Sequence, residues 1–140
     1  MNANANKNSD LFKALKGGGS NFGIVTRFDM ETIDIGLIWG GLVAYEATTA
    51  STEHFVHTYQ NWTDHIEDYV DGSVIVFWSY DPIVGGDIII VAYEDLAGIV
   101  APPAFSEFLS IDPNLILSSS MRVATHKNLA DELEIADGYR

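Results

Sequence analysis

The residues Gly17-Gly18-Gly19-Ser20-Asn21-Phe22-Gly23 are of the type that lets a backbone come close to a phosphate or a flat cofactor, because glycine tolerates conformations and contacts that side chains forbid. A dinucleotide fingerprint runs strand, glycine turn, helix. Here the predicted order is helix, loop, strand, and the last fingerprint glycine would fall on Phe22. A phosphate loop requires lysine where Ile24 stands. His54, His57 and His65 fall on one side of a predicted helix, but only the first two are neighbours. Three or four convergent ligands are not assembled, and no metal site is expected. His57 retains the chemistry of an acid or base near neutrality, whereas His126 follows a predicted strand and reads as a loop residue. Glu94 and Arg122 place charge in or at the end of apolar strands, where it either reaches solvent or faces a polar cavity. With Tyr80 they complete a candidate catalytic set of His57, Tyr80, Glu94 and Arg122. Trp39, Tyr45, Trp78 and Tyr93 are strand aromatics suited to a stacking wall for a flat apolar substrate. There is no cysteine, and no serine lies in a nucleophile-elbow sequence, so a covalent triad has no support.

The elements that must position these groups follow from periodicity and turn chemistry. Ser9 is placed to cap a short helix with Leu11, Phe12 and Leu15 on one side and Gly17 at its end. Phe22, Ile24, Val25, Thr26 and Phe28 then read as a strand. Residues 23–33 and 37–46 form an expected hairpin through Asp34-Ile35-Gly36. Thr49 or Ser51 opens a helix toward Val70, with Phe55, Tyr59, Trp62 and Ile66 on its buried face. Strands at 74–80 and 87–94 flank a turn containing Pro82, Gly85 and Gly86. Pro102 and Pro103 suit a helix start, 115–125 reads as a strand, and 128–135 as a last short helix. From Leu37 onward the order matches the split βαβ pattern of a ferredoxin-like α+β fold, an antiparallel sheet with helices on one face. Residues 1–8 are expected to be a flexible N-terminus and 9–140 a single α+β domain.

Both faces of the central strands are apolar. Leu37, Trp39, Val43 and Tyr45 alternate with Ile38, Leu42 and Ala44, and Val74, Val76, Trp78 and Tyr80 with Ile75 and Phe77. Helices cover one face, so the other needs a cover, and a second copy packing sheet to sheet is expected.

The segment Asp10-Leu-Phe-Lys-Ala-Leu-Lys-Gly-Gly, followed by Asn21-Phe-Gly-Ile-Val-Thr26, resembles the fungal branch of the berberine-bridge-type, 6-hydroxynicotine-oxidase-like FAD-linked oxidoreductases. The likeness continues through Trp39-Gly40-Gly41, Pro102-Pro103-Ala104-Phe105 and Asp137-Gly138-Tyr139-Arg140. It covers the end of a flavin domain and a substrate-binding domain. It implies flavin contacts at Gly18, Gly19, Asn21, Gly23 and Ile24. It also implies a much longer protein, whose pyrophosphate loop, FAD-tethering histidine and later catalytic strands have no counterpart in these residues.

Composition narrows the partners. A formal charge of −13 repels nucleic-acid phosphates and anionic lipid, so neither nucleic acid nor membrane is expected. The polar N-terminus has no apolar signal core, cysteine is absent, and cytoplasmic residence is expected. On that view the sequon Asn61-Trp62-Thr63 is silent. The function expected is a flavin-independent protein binding a hydrophobic small molecule, with a cyclase or isomerase activity of fungal-type secondary metabolism. Such reactions can be accelerated by shape, orientation and one acid–base group. The alternatives are a fragment of an FAD-dependent oxidoreductase that oxidises its substrate only in a longer chain, with FAD as its cofactor, and a non-catalytic metabolite carrier.

Overall fold

Strand β1 (Ile38–Glu46) lies in the middle of a five-stranded antiparallel sheet. On one side it pairs with β3 (Gly86–Asp95), which in turn pairs with β2 (Gly72–Asp81). On the other side it pairs with β4 (Ile116–Ser119) and then β5 (Arg122–Ala124). The order β2-β3-β1-β4, with every pair antiparallel, is the ferredoxin-like α+β arrangement. This computed structural model describes residues 1–133, in two units, Met1–Ile33 and Asp34 onward.

The β2–β3 hairpin forms because β-branched and aromatic runs flank a turn with its own locks. Asp81 Oδ1 accepts from the amides of Ile83 at 2.7 Å and Val84 at 3.3 Å, and Gly85 takes φ 74°. Helix α2 (Thr49–Asp64) starts at a capping box in which Thr48 and Ser51 each accept the other's amide, at 3.1 and 2.8 Å. It ends at Asp64 and gives way to a 3-10 turn at Ile66–Asp68, short of the expected Val70.

The main core lies on the sheet face under α2. Trp39, Val43 and Tyr45 from β1 meet Ile89, Val91 and Tyr93 from β3, Val74 from β2, Phe55 from α2, and Phe105 and Phe108. Burying each such side chain contributes about 1.5–3 kcal/mol. The helix expected after Pro102 is instead two 3-10 turns, Pro103–Phe105 and Phe108–Ser110. Phe105 and Phe108, three residues apart, both point into the core, as the three-residue period of that geometry requires.

The strand expected over 115–125 is broken at Ser120. Gly41 explains the break: it sits at φ 150°, and a Cβ there would lie 2.8 Å from the Ser120 carbonyl carbon and 2.9 Å from the Met121 nitrogen. The chain is thus pressed against β1 where β4 becomes β5. Helix α3 (His126–Ala130) begins two residues before the expected start, and residues 134 and 135 of that expectation lie outside the described residues. It packs Leu129 with Ile38 and Ala124 on a corner of the second sheet face, so the helices are not all on one side.

In Met1–Ile33, helix α1 (Ser9–Gly18) is preceded by Asn8, without a side-chain cap from Ser9. It kinks where Lys16 takes ψ 92° and Gly17 φ 96°. A 3-10 turn, Gly19–Phe22, follows. The strand and hairpin expected over 23–33 are not formed, because both edges of β1 are occupied, by β3 on one side and by β4 and β5 on the other. A strand without a neighbouring ladder has no stabilising pairs. Ile24 is 94% exposed and Met30 84%.

Strand β2 is an edge of the sheet. It carries no charge from Ser73 to Tyr80 and is bracketed by Asp71 and Asp81.

Candidate functional site

The second sheet face presents its side chains in rows set by strand register. One row runs Ser73, Glu94, Gly40, Arg122 across β2, β3, β1 and β5. The next runs Ile75, Ala92, Leu42, and the one after it Phe77, Ile90, Ala44, Ser118. A polar corner therefore borders an apolar floor on which Ile75 is 55% and Phe77 40% exposed.

Gly40 sits between the two charged side chains for a steric reason. A Cβ there would lie 2.2 Å from the Tyr93 carbonyl oxygen and 3.2 Å from Leu129 Cδ1, so only glycine lets α3 close onto the sheet. Arg122 forms an ion pair with Glu132 and donates to the carbonyls of Ser120 at 3.0 Å and Asn128 at 3.2 Å. The Ser120 hydroxyl donates to Glu132 at 2.7 Å. That hydroxyl, and after it Arg122, hold the Glu132 carboxyl below the usual carboxylate range against the opposing effect of burial. Glu94 takes a different partner: its Oε1 is 3.2 Å from His126 Nε2. A cavity of about 110 Å³ opens here, lined by Leu42, Ile75, Ala92, Glu94, His126 and Leu129 among others.

The structure thus gathers Glu94 and Arg122 with Ser120, His126 and Glu132. It does not bring His57 or Tyr80 to them. His57 is on the exposed side of α2 with Nδ1 3.6 Å from Glu107 Oε1, and Tyr80 is 63% exposed near the end of the edge strand. Trp39, Tyr45 and Tyr93 belong to the core on the opposite face. The Tyr45 and Tyr93 hydroxyls meet each other at 3.2 Å, and burial raises the pKa of both. Trp78 is 44% exposed and pairs in register with Ile89, on the core side at the sheet edge. The sequence reads His126 as a loop residue and gives no signal for Glu132. The fold-back of α3, which Gly40 permits, brings His126 to Glu94 and Glu132 to Arg122.

At the core end of β3, the buried Asp95 accepts from the Tyr69 hydroxyl and, at 2.8 Å, from the Ile99 amide. The bond to Asp95 pushes the Tyr69 hydroxyl up to about 12. Another cavity, of about 140 Å³, lies between Asn61, Trp62, His65, Tyr69 and Glu107. Its His65 ring nitrogen is 2.8 Å from the Asn61 carbonyl. Among the described residues no group of three or more His, Asp or Glu could hold a metal ion, and no helix is long and apolar enough to cross a membrane.

The glycine loop is open. A Cβ placed at Gly17, Gly19 or Gly23 meets nothing within 4 Å, and the Asn21 amide is turned inward to the Gly18 carbonyl at 2.9 Å. Gly19, Asn21, Gly23 and Ile24 are exposed, and Gly18 is half-buried against the Phe22 ring, where a Cβ would lie 2.5 Å from Cε2. They offer backbone to one side of a ligand and no enclosure, so by themselves they do not fit FAD.

The fold and this corner define an α+β sheet unit with one packed and one open face. The chain is similar to FAD-dependent monooxygenases of fungi. It is 37% identical over 133 residues to sdcF of Emericella nidulans, covering 94% of this chain and 27% of that protein. With tpcD of Cochliobolus heterostrophus it shares 34% identity over 138 residues, 94% and 26% of the two chains. With drtC of Aspergillus calidoustus it shares 32% over 127 residues, 91% and 23%. The chain spans about a quarter of the length of these curated relatives. No family model and no solved structure matches. These findings correct the resemblance to berberine-bridge-type, 6-hydroxynicotine-oxidase-like oxidoreductases: the relatives bear a different name, FAD-dependent monooxygenase, and no family model supports the earlier one.

Proposed function

We propose that this chain is the substrate-facing portion of a longer FAD-dependent monooxygenase, whose open sheet face receives a hydrophobic small molecule of secondary metabolism. The carrying observation is that the relatives match nearly all of this chain with only about a quarter of their own length. The open glycine loop agrees with FAD being held chiefly by other parts of that protein. None of the relatives named above is called a cyclase or isomerase, and the cofactor-free reading gives way to this one. For the chain by itself, the exposed Ile75 and Phe77 favour a second copy as cover. A monomeric mass by light scattering at micromolar concentration would refute that cover.

The test of the main reading is transplantation. Residues 9–133 replace the matching stretch of the Emericella nidulans relative, and the visible flavin spectrum and substrate oxidation are measured. A yellow, active chimaera and a colourless isolated chain are expected. An isolated chain that retains stoichiometric FAD, or a folded chimaera without oxidation, overturns the proposal.

A further inference from the structure

We propose that Glu94 and His126 form a hydroxyl-recognising, proton-accepting pair for a flat apolar ligand such as a phenol seated on the open sheet face. The inference rests on that face being the substrate side. Three observations carry it. First, Arg122 pairs with Glu132 and donates to the Ser120 and Asn128 carbonyls, whereas the Glu94 carboxylate has His126 as its partner. Second, His126 Nε2 faces that carboxylate at 3.2 Å while its side chain remains 59% exposed. A carboxylate fixes the neutral ring with Nε2 protonated, which leaves the Nδ1 lone pair as an acceptor toward solvent or ligand. Third, the cavity beside them, about 110 Å³, is bounded by Leu42, Ile75 and Ala92, and strand register sets the Phe77 row next to the Ile75 row on the same face. A cavity of about 150 Å³ holds benzene, so one ring edge enters here and the rest of a flat ligand spreads over the apolar rows.

The chemistry follows from this placement. The ligand hydroxyl donates to His126 Nδ1. When it ionises, the O–H bond breaks, an N–H bond forms at Nδ1, and the electron pair stays on the ligand oxygen. Glu94 stabilises the imidazolium so formed. Neither residue reaches the core, so both can be replaced without cavity formation.

The test uses the isolated chain, without flavin, and two probes, 2-naphthol and 2-methoxynaphthalene, which differ in the hydroxyl proton. Binding is followed by fluorescence and by 15N signals of the histidine rings, with circular dichroism as the folding control. An approximately tenfold preference for 2-naphthol is expected, about 1.4 kcal/mol, with a shift of the His126 Nδ1 signal only for that probe. His126→Ala abolishes the preference and Glu94→Gln reduces it. Equal affinities, no binding of either probe, or a preference that survives His126→Ala overturns the proposal. The transplantation is read on flavin and oxidation, so its failure and this one are separately visible.

Discussion

The two faces of this sheet are built from the same strands and both present apolar rows, yet they differ in what holds them. On one, Phe55, Phe105 and Phe108 close over Trp39, Tyr45 and Tyr93, leaving each of these aromatics almost without solvent contact. On the other, α3 covers a corner and the rows of Ile75 and Phe77 stay open, bordered by Glu94, Arg122, His126 and Glu132. Apolar alternation says that a face can be buried. Which face is buried within the chain depends on where the connecting segments return.

The contrast can be broken or sharpened experimentally. Phe55→Ala or Phe105→Ala on the packed face is expected to cost about 3–5 kcal/mol, read as a lowered denaturant midpoint. On the open face, Gly40→Val is expected to cost about 1–3 kcal/mol, since its Cβ collides with the Tyr93 carbonyl and Leu129. A small effect there would show that α3 is not needed for the fold. Asp95→Asn should return the Tyr69 hydroxyl toward its ordinary range in an ultraviolet titration. With its folded pKa raised to about 12, Tyr69 contributes stability that is complete below the unfolded value and lost as pH rises through about 12, and the variant lacks that loss. Glu132, held low, contributes in the opposite sense: its share is present above the unfolded carboxylate value and fades as pH falls through its lowered one, an acid dependence that Glu132→Gln removes. The smallest effect, within about 0.5 kcal/mol at dilutions that leave the chain monomeric, is expected for Phe77→Thr. A core-sized loss would mean that the open face is covered in solution.

Much of this contrast was legible in the sequence. The β2–β3 hairpin, the amphipathic α2 and the two-sided apolar strands were marked by local turn, cap and period signals, and so was the α+β class. Residues 23–33 have strand-like composition without forming a strand, because β-branched composition reports a propensity, whereas pairing needs a free edge, and β1 has none. The two prolines suggested a helix start, and only the three-residue spacing of Phe105 and Phe108 hinted at 3-10 geometry. Glu94 and Arg122 stood out as charges in apolar strands. Their real partners, His126 and Glu132, are brought in by a fold-back that no local pattern encodes, although the adjacent Gly40 and Gly41 were a trace of it.

Strand β2 lies at the margin of the sheet. Among the described residues its outer ladder is unpaired, and between Ser73 and Tyr80 it has neither lysine nor proline to deter another strand. The repulsion keeping two such edges apart comes from Asp71, Asp81 and the overall acidity, and it is screened as the Debye length contracts from about 10 Å at 0.1 M salt to about 3 Å at 1 M. High ionic strength therefore removes the main electrostatic barrier between this edge and another strand.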